Sequence, residues 1–93
     1  MPSDQAVKVV YKGNDNNEYF VIANPGMVSK WKKDKSIPMV DVVQNFNIHT
    51  TSNGSTTGEA INPASGALKT VFNTTNEDEI VKKILCEGHE KGF

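Results

Sequence analysis

The residues of this chain that could do chemistry are few, and they are scattered. The single cysteine, Cys86, lies three positions before His89, and the second histidine is the distant His49. A metal site needs several converging ligands, and a cysteine nucleophile needs a histidine that a third group orients. Neither set is evident. We therefore predict no metal, no cofactor and no catalytic residue, with Cys86 packed in the core and His89 exposed.

An acidic run and a glycine-containing loop resemble functional motifs but have simpler explanations. Residues 77–79, "EDE", precede the apolar positions of a helix, where the helix dipole favours negative charge. The loop "SNGSTTGE" (52–59) lacks the Gly-Lys-Ser/Thr ending of a phosphate-binding loop. No Gly-x-Ser-x-Gly elbow is present either. We expect a protein that is not an enzyme.

Lysines are the side chains with functional potential. All ten basic residues are Lys and the net charge is −1, so the whole chain is not a polycation. The densest basic segment is "KWKKDK" (30–35), and lysine ammonium groups can neutralise phosphates. The alternative is a solvated helix face with Trp31 directed inward. We predict an RNA- or partner-contacting surface composed of Lys8, Lys12, Lys30, Lys32, Lys33, Lys35, Ser52, Asn53 and Gly54.

Strands are indicated in the first half of the chain and around residue 50. Residues 6–12 alternate apolar and polar side chains, and 18–23, "EYFVIA", is rich in aromatic and β-branched residues, so the two predict an antiparallel hairpin. Residues 46–50 predict a third strand, and 59–61 a short fourth one. No aromatic stacking platform of the Gly-Phe-Gly-Phe type is recognisable.

Helices are indicated between and after these strands. Asn24-Pro25 and Asn62-Pro63 both read as a helix start with Asn as the cap, and a short helix is predicted after Ser36. A capping box at Thr74 or Thr75 begins a last helix, which ends at Gly88 as its C′ residue. The prediction is an α+β domain: a small, mostly antiparallel sheet of three to four strands packed with about four helices.

The length and composition fit one domain. Ninety-three residues, 37% apolar and 23% charged, predict a single domain over 1–93 with its core over about 6–90. The N-terminal sequence has no apolar run that suits a signal peptide or a membrane span. We expect a monomer that lies in the cytoplasm, and also in the nucleus, and that has no membrane partner.

Several segments together resemble the N-terminal domain (FYSH domain) of the Shwachman–Bodian–Diamond syndrome (SBDS) protein family. The resemblance covers about residues 6–90, and the final helix, of the form Ile-x-Lys-x-Ile-Leu-x-x-Gly, is its most specific part. The family's Ser-Lys-Gly turn appears here as Ser52-Asn53-Gly54, which lacks the basic residue. The residues that carry the match are Phe20, Ile22, Ala23, Trp31, Val42, Val43, Gln44, Ser52, Gly54, Phe72, Thr74, Ile80, Lys82, Ile84, Leu85 and Gly88.

The resemblance implies a role in RNA metabolism and ribosome maturation. Full-length family members carry two further domains, bind the large ribosomal subunit and act as adaptors beside a GTPase. This chain looks like the single-domain fungal relatives, which are associated with RNA metabolism and stress. We therefore predict a non-enzymatic RNA- or ribosome-associated adaptor in ribosome biogenesis, whose partners are RNA or the large ribosomal subunit and other ribosome-maturation proteins. The alternative is a protein-interaction or stress-response module without direct RNA binding.

Overall fold

A computed structural model describes residues 6–44, 46–51, 59–61, 66 and 68–91. The chain begins with a β-hairpin, continues through a helix and a short 3-10 turn to a second pair of strands, and closes with two helices and a final strand. The elements are β1 Val7–Lys12, β2 Glu18–Ala23, α1 Pro25–Lys33, the 3-10 turn Met39–Asp41, β3 Ile48–Thr51, β4 Glu59–Ile61, α2 Lys69–Phe72, α3 Glu77–Glu87 and β5 His89–Lys91.

The strands form one sheet in the order β4-β3-β2-β1-β5, and each neighbouring pair is antiparallel. The predicted α+β class is therefore confirmed. Within the described residues the sheet has five strands, one more than the largest number predicted. The additional strand, β5, is only three residues long and wholly exposed, so no apolar alternation marks it in the sequence.

The helices cover one face of this sheet, which we call the inner face. Because side chains alternate along a strand, the register that places Val9 opposite Val21 directs both toward α1 and α3. Trp31 of α1 is the largest of the fully buried side chains. The core that these elements share is composed of Val9, Tyr19, Val21, Ala23, Val28, Trp31, Met39, Val42, Val43, Ile48, Leu68, Phe72, Ile80, Val81, Ile84 and Leu85.

The other side of the sheet, the outer face, is made by the alternate positions of the same strands. None of the described helices contributes to it, because their buried side chains all belong to the core of the inner face. The strand registers place on this face Lys8, Val10, Lys12, Glu18, Phe20, Ile22, His49, His89 and Lys91.

The helical segments differ from the prediction in extent. The helix expected after Ser36 is a single 3-10 turn, yet the apolar residues Met39, Val42 and Val43 in and after it are buried. The predicted start at Asn62-Pro63 lies outside the described residues, and α2 begins at Lys69. Three α-helices and this turn thus stand in the described ranges, where about four helices were predicted.

The two ends of α3 correct two predictions. Neither threonine caps the helix: Asn76 does, since its side-chain oxygen accepts a hydrogen bond from the Glu79 N–H at 3.1 Å. Thr74 instead accepts one from the Asn76 N–H at 3.0 Å. Gly88 ends the helix but is not left-handed, because its φ is −81°. Its side-chain-free Cα is required because an added Cβ would lie 2.5 Å from the carbonyl oxygen of Val10.

Candidate nucleic-acid interface

The lysine-rich segment is built on a helix with a well-defined start. Asn24 caps α1, and its side-chain oxygen accepts hydrogen bonds from the N–H groups of Gly26 at 3.1 Å and Met27 at 3.3 Å. Pro25 occupies the first turn, where its missing N–H costs nothing. Val28 and Trp31 are buried, which fixes the helix against the sheet and leaves its remaining sides to solvent.

Lys30, Lys32 and Lys33 lie in the last turn of α1 and are exposed. Positive charge there complements the helix dipole, so part of their effect is on helix stability. At 100° per residue, Lys30 and Lys33 share one side of the helix, while Lys32 lies on the opposite flank. The three ammonium groups therefore spread around the exposed half of the helix and do not form one row.

One carboxylate interrupts this basic segment. Asp34 accepts hydrogen bonds at its Oδ1 from the Ser36 hydroxyl at 2.5 Å and from the Ser36 N–H at 3.1 Å. These bonds favour the ionised form and lower the pKa of Asp34 below its usual value. Residues 30–35 thus combine four lysines with one ionised aspartate, and the segment keeps a positive excess.

Trp31 points inward, as the alternative sequence interpretation had it. Its side chain is 2% exposed, and the indole Nε1 is buried with no hydrogen-bond partner among the described residues. The ammonium group of Lys35 lies 5.0 Å from the centre of its ring. Lys35 is therefore held by a cation–π contact, whereas Lys30, Lys32 and Lys33 form no ion pair within the described part of the chain.

A groove of about 610 Å³ runs between α1 and α3, and the sequence interpretation missed it. Trp31 and Phe72 contribute aromatic surface to it, and Lys82 and Lys83 of α3 line it beside Lys35. Lys82 pairs with Asp78 at 2.9 Å and Lys83 with Glu87 at 3.2 Å, each at i,i+4 spacing. The sequence carries this spacing, but only the fold brings α3 next to Lys35.

The same groove corrects the prediction for Cys86. Its side chain is exposed and lines the groove, because the core-facing positions of α3 are taken by Ile80, Val81, Ile84 and Leu85. His89 is exposed, as predicted.

The predicted contact residues lie on more than one surface. Lys8 and Lys12 are on the outer face of the sheet, so the sheet separates them from the α1 lysines. The ammonium group of Lys8 lies 5.0 Å from the ring centre of Phe20 on that face. Ser52, Asn53 and Gly54 lie outside the described residues. One flat ligand cannot contact Lys8 and Lys33 together.

No group of three or more His, Cys, Asp or Glu side chains in the described ranges could hold a metal ion. No helix in those ranges has the length and apolar character needed to cross a membrane.

Comparison with known proteins identifies the family. Residues 5–92 match the family described as the Shwachman-Bodian-Diamond syndrome (SBDS) N-terminal domain. An SDO1-like protein of Schizosaccharomyces pombe is 32% identical over 82 residues, which cover 87% of this chain and 77% of that protein. The match spans every described element, from β1 through β5. The chain belongs to the SBDS family, and residues 5–92 correspond to the N-terminal domain of that family.

Proposed function

We propose that this protein is a non-enzymatic adaptor of ribosome biogenesis that contacts RNA or a ribosomal surface through the lysines of α1. The observation that carries the proposal is the unpaired state of Lys30, Lys32 and Lys33 within the described residues. Their helix is capped at Asn24 and anchored by the buried Trp31, so the lysines project from a rigid element. Such exposed ammonium groups suit phosphate contacts, which give affinity without base specificity.

Family membership supports the biological setting. The SBDS family is associated with ribosome biogenesis, and the match covers nearly the whole chain. On this basis RNA, the large ribosomal subunit and other ribosome-maturation proteins are the proposed partners, and the cytoplasm and nucleus the proposed locations. Because the net charge is −1, binding depends on this local cluster and not on the charge of the whole chain.

The test is a titration of a fluorescent RNA hairpin at several salt concentrations. If three phosphates are contacted, the logarithm of the association constant plotted against the logarithm of the salt concentration should have a slope of about −2 to −3. Replacing Lys30, Lys32 and Lys33 together with Glu should abolish binding. The control replaces Lys69, Lys82 and Lys83 with Glu, which changes the net charge equally but leaves α1 and the outer face of the sheet intact. Equal losses in both triple variants would contradict a site on α1.

The groove between α1 and α3 favours a second candidate, a protein-interaction module without RNA affinity. Its lining combines lysines and glutamates with the largely buried rings of Trp31 and Phe72, and this mixture of both charges suits a protein partner more than phosphates. Partners that remain bound to the tagged protein after nuclease treatment, together with no affinity for the hairpin, would support this candidate. Co-sedimentation with large ribosomal subunits that is lost in the α1 triple variant would support the first.

A further inference from the structure

The outer face of the sheet carries a stacked pair of flat side chains. Phe20 of β2 and His49 of β3 are direct neighbours in the strand register, and their ring centres lie 4.9 Å apart with planes tilted by 14°. On the other side of β2, Lys8 of β1 places its ammonium group 5.0 Å from the centre of the same Phe20 ring. Lys8 and His49, which come from the two strands on either side of β2, therefore both contact the ring of Phe20.

The pair belongs to a row that crosses four strands. Phe20 lies opposite His49 on one side and Val10 on the other, and Val10 in turn lies opposite His89 of β5. Phe20 is 9% exposed and Val10 2%, so these two form the base of the row. His49 is half-buried and His89 exposed, so the imidazoles are the rings that a ligand can reach.

The outer face of the sheet carries more positive than negative side chains among its described residues. Among its described side chains, three lysines are accompanied by one glutamate: Lys8 and Lys91 lie opposite each other in register, and Lys12 lies opposite Glu18. None of these forms an ion pair within the described residues. A positive excess on one face of a chain whose net charge is −1 favours an anionic partner.

Single-stranded nucleic acids bind to stacked rings beside lysines, and here these side chains lie on a sheet face that none of the described helices covers. Bases stack on aromatic or imidazole rings without strong sequence preference, while lysines neutralise the backbone. The Nδ1 atom of His49 is buried and has no hydrogen-bond partner in the described part of the chain, so the contact that positions this imidazole there is its stacking on Phe20.

We propose that the outer face binds single-stranded RNA, with a base stacked on His49 and phosphates near Lys12 and Lys91. Phe20 is a positioning residue, since its ring stacks on His49 from the neighbouring strand and is itself nearly covered. This inference rests on the proposed role in RNA association, but it concerns the opposite side of the sheet from α1 and a different form of RNA. Duplex RNA would contact α1, whereas unpaired bases would contact the outer face.

The experiment measures fluorescence anisotropy of a labelled oligouridylate of about ten nucleotides, a length within the site sizes of sheet-based single-strand binders. His49→Ala should weaken binding about 5- to 100-fold, the loss typical for one stacked base. The double change Lys12→Ala and Lys91→Ala should weaken it and reduce its salt dependence. Phe20→Leu keeps an apolar side chain but removes the ring, so its effect on affinity measures how much the stacking of Phe20 on His49 contributes. Circular dichroism verifies that each variant is folded.

The α1 triple variant separates this inference from the proposed function. Single-strand binding should survive replacement of Lys30, Lys32 and Lys33, while hairpin binding should not. Amide resonances of Phe20, His49 and His89 should shift when the oligonucleotide is added to the wild-type protein. The inference is overturned if the oligonucleotide does not bind at low salt. It is equally overturned if His49→Ala binds within twofold of wild type, or if only the α1 variant loses single-strand affinity.

Discussion

The hydroxyl of Tyr19 donates a 2.5 Å hydrogen bond to Oδ2 of Asp15 and so ties β2 to the turn before it. Burial opposes ionisation of Asp15, but this bond and those from Asn17 outweigh it and lower the pKa of the carboxyl group below 3.8. The ring of Tyr19 is buried and meets Phe72 edge-on, with ring centres 5.4 Å apart. The side chain of Tyr19 therefore connects the turn between β1 and β2 to α2.

Replacing Tyr19 with Phe should lower the free energy of unfolding by about 1–2 kcal/mol near neutral pH, because the ring stays packed and only the bond to a carboxylate is lost. The folded-state pKa of Asp15 is the lower one, so the stabilisation is complete above its unfolded value of about 3.9 and disappears as the pH falls through the folded value. The difference between variant and wild type should therefore shrink in acid.

Urea denaturation at a series of pH values measures this difference. Tyr11→Phe is the matched control, because Tyr11 also packs beside Phe72, at 5.5 Å between ring centres, but its hydroxyl forms no hydrogen bond among those described. Burial and the neighbouring Asp15 raise the pKa of Tyr19 to about 12. Wild-type stability should thus also fall as the pH rises from about 10, the unfolded tyrosine value, through that pKa. A difference independent of pH would contradict the pair.

Lys35→Ala should destabilise the fold by about 0.5–1 kcal/mol, since it removes the cation above Trp31. Lys33→Ala is the control and should change stability by less than about 0.5 kcal/mol, as exposed substitutions usually do. The chain has one tryptophan, so its fluorescence during urea unfolding follows the burial of this ring and gives the stability of each variant. Equal effects of both substitutions would show that the ring gains nothing from Lys35.

The helix caps Asn24 and Asn76 should each be worth about 1 kcal/mol, measured as the loss on replacement by Ala in thermal unfolding. Asp at either position should retain most of that stability, because its carboxylate accepts the same N–H bonds. Asn73 provides a contrast: it is left-handed, with φ 58°, and caps no N–H group of α3, so Asn73→Gly should be tolerated. An unchanged melting temperature in Asn76→Ala would refute its capping role.

Gly88→Ala should cost about 1–3 kcal/mol, because the new Cβ would lie 2.5 Å from the carbonyl oxygens of both Ile84 and Val10. The backbone would have to shift, and amide hydrogen exchange in β5 should accelerate. Gly26→Ala is the matched control: there the nearest atom is a side-chain oxygen at 3.4 Å, and a helical Ala is favoured over Gly. That variant should be neutral or more stable, so of the two changes Gly88→Ala alone should destabilise the protein.

Most of the fold could be predicted because its segments carry local signals. The strand 18–23 and the cap at Asn24 were predicted as observed, since alternation and capping chemistry are encoded within a few residues. β5 could not be predicted, because three exposed residues form a strand only when β1 is there to pair with them. The cap of α3 was assigned wrongly because Thr74, Thr75 and Asn76 are all capping residues, and local geometry selects one.

The candidate surfaces were harder to predict than the fold. The sequence indicates the lysines of α1, but it does not show that Lys8 lies across the sheet from them. The stacking of Phe20 on His49 joins residues far apart in sequence, and it follows only from the register of β2 and β3. Contacts of this kind depend on tertiary pairing, which no local pattern encodes.

The strand β5 also has a protective consequence. It follows α3 after the single residue Gly88 and pairs with Val10 and its neighbours along the otherwise free border of β1. Without it, the backbone N–H and C=O groups of Lys8–Val10 that face away from β2 would be open to strands of other molecules, a usual origin of aggregation in sheet proteins. Because β5 is itself short, exposed and charged, it is a poorer template for strand pairing than β1, so mutations that loosen the end of α3 should expose a more apolar border and favour aggregation.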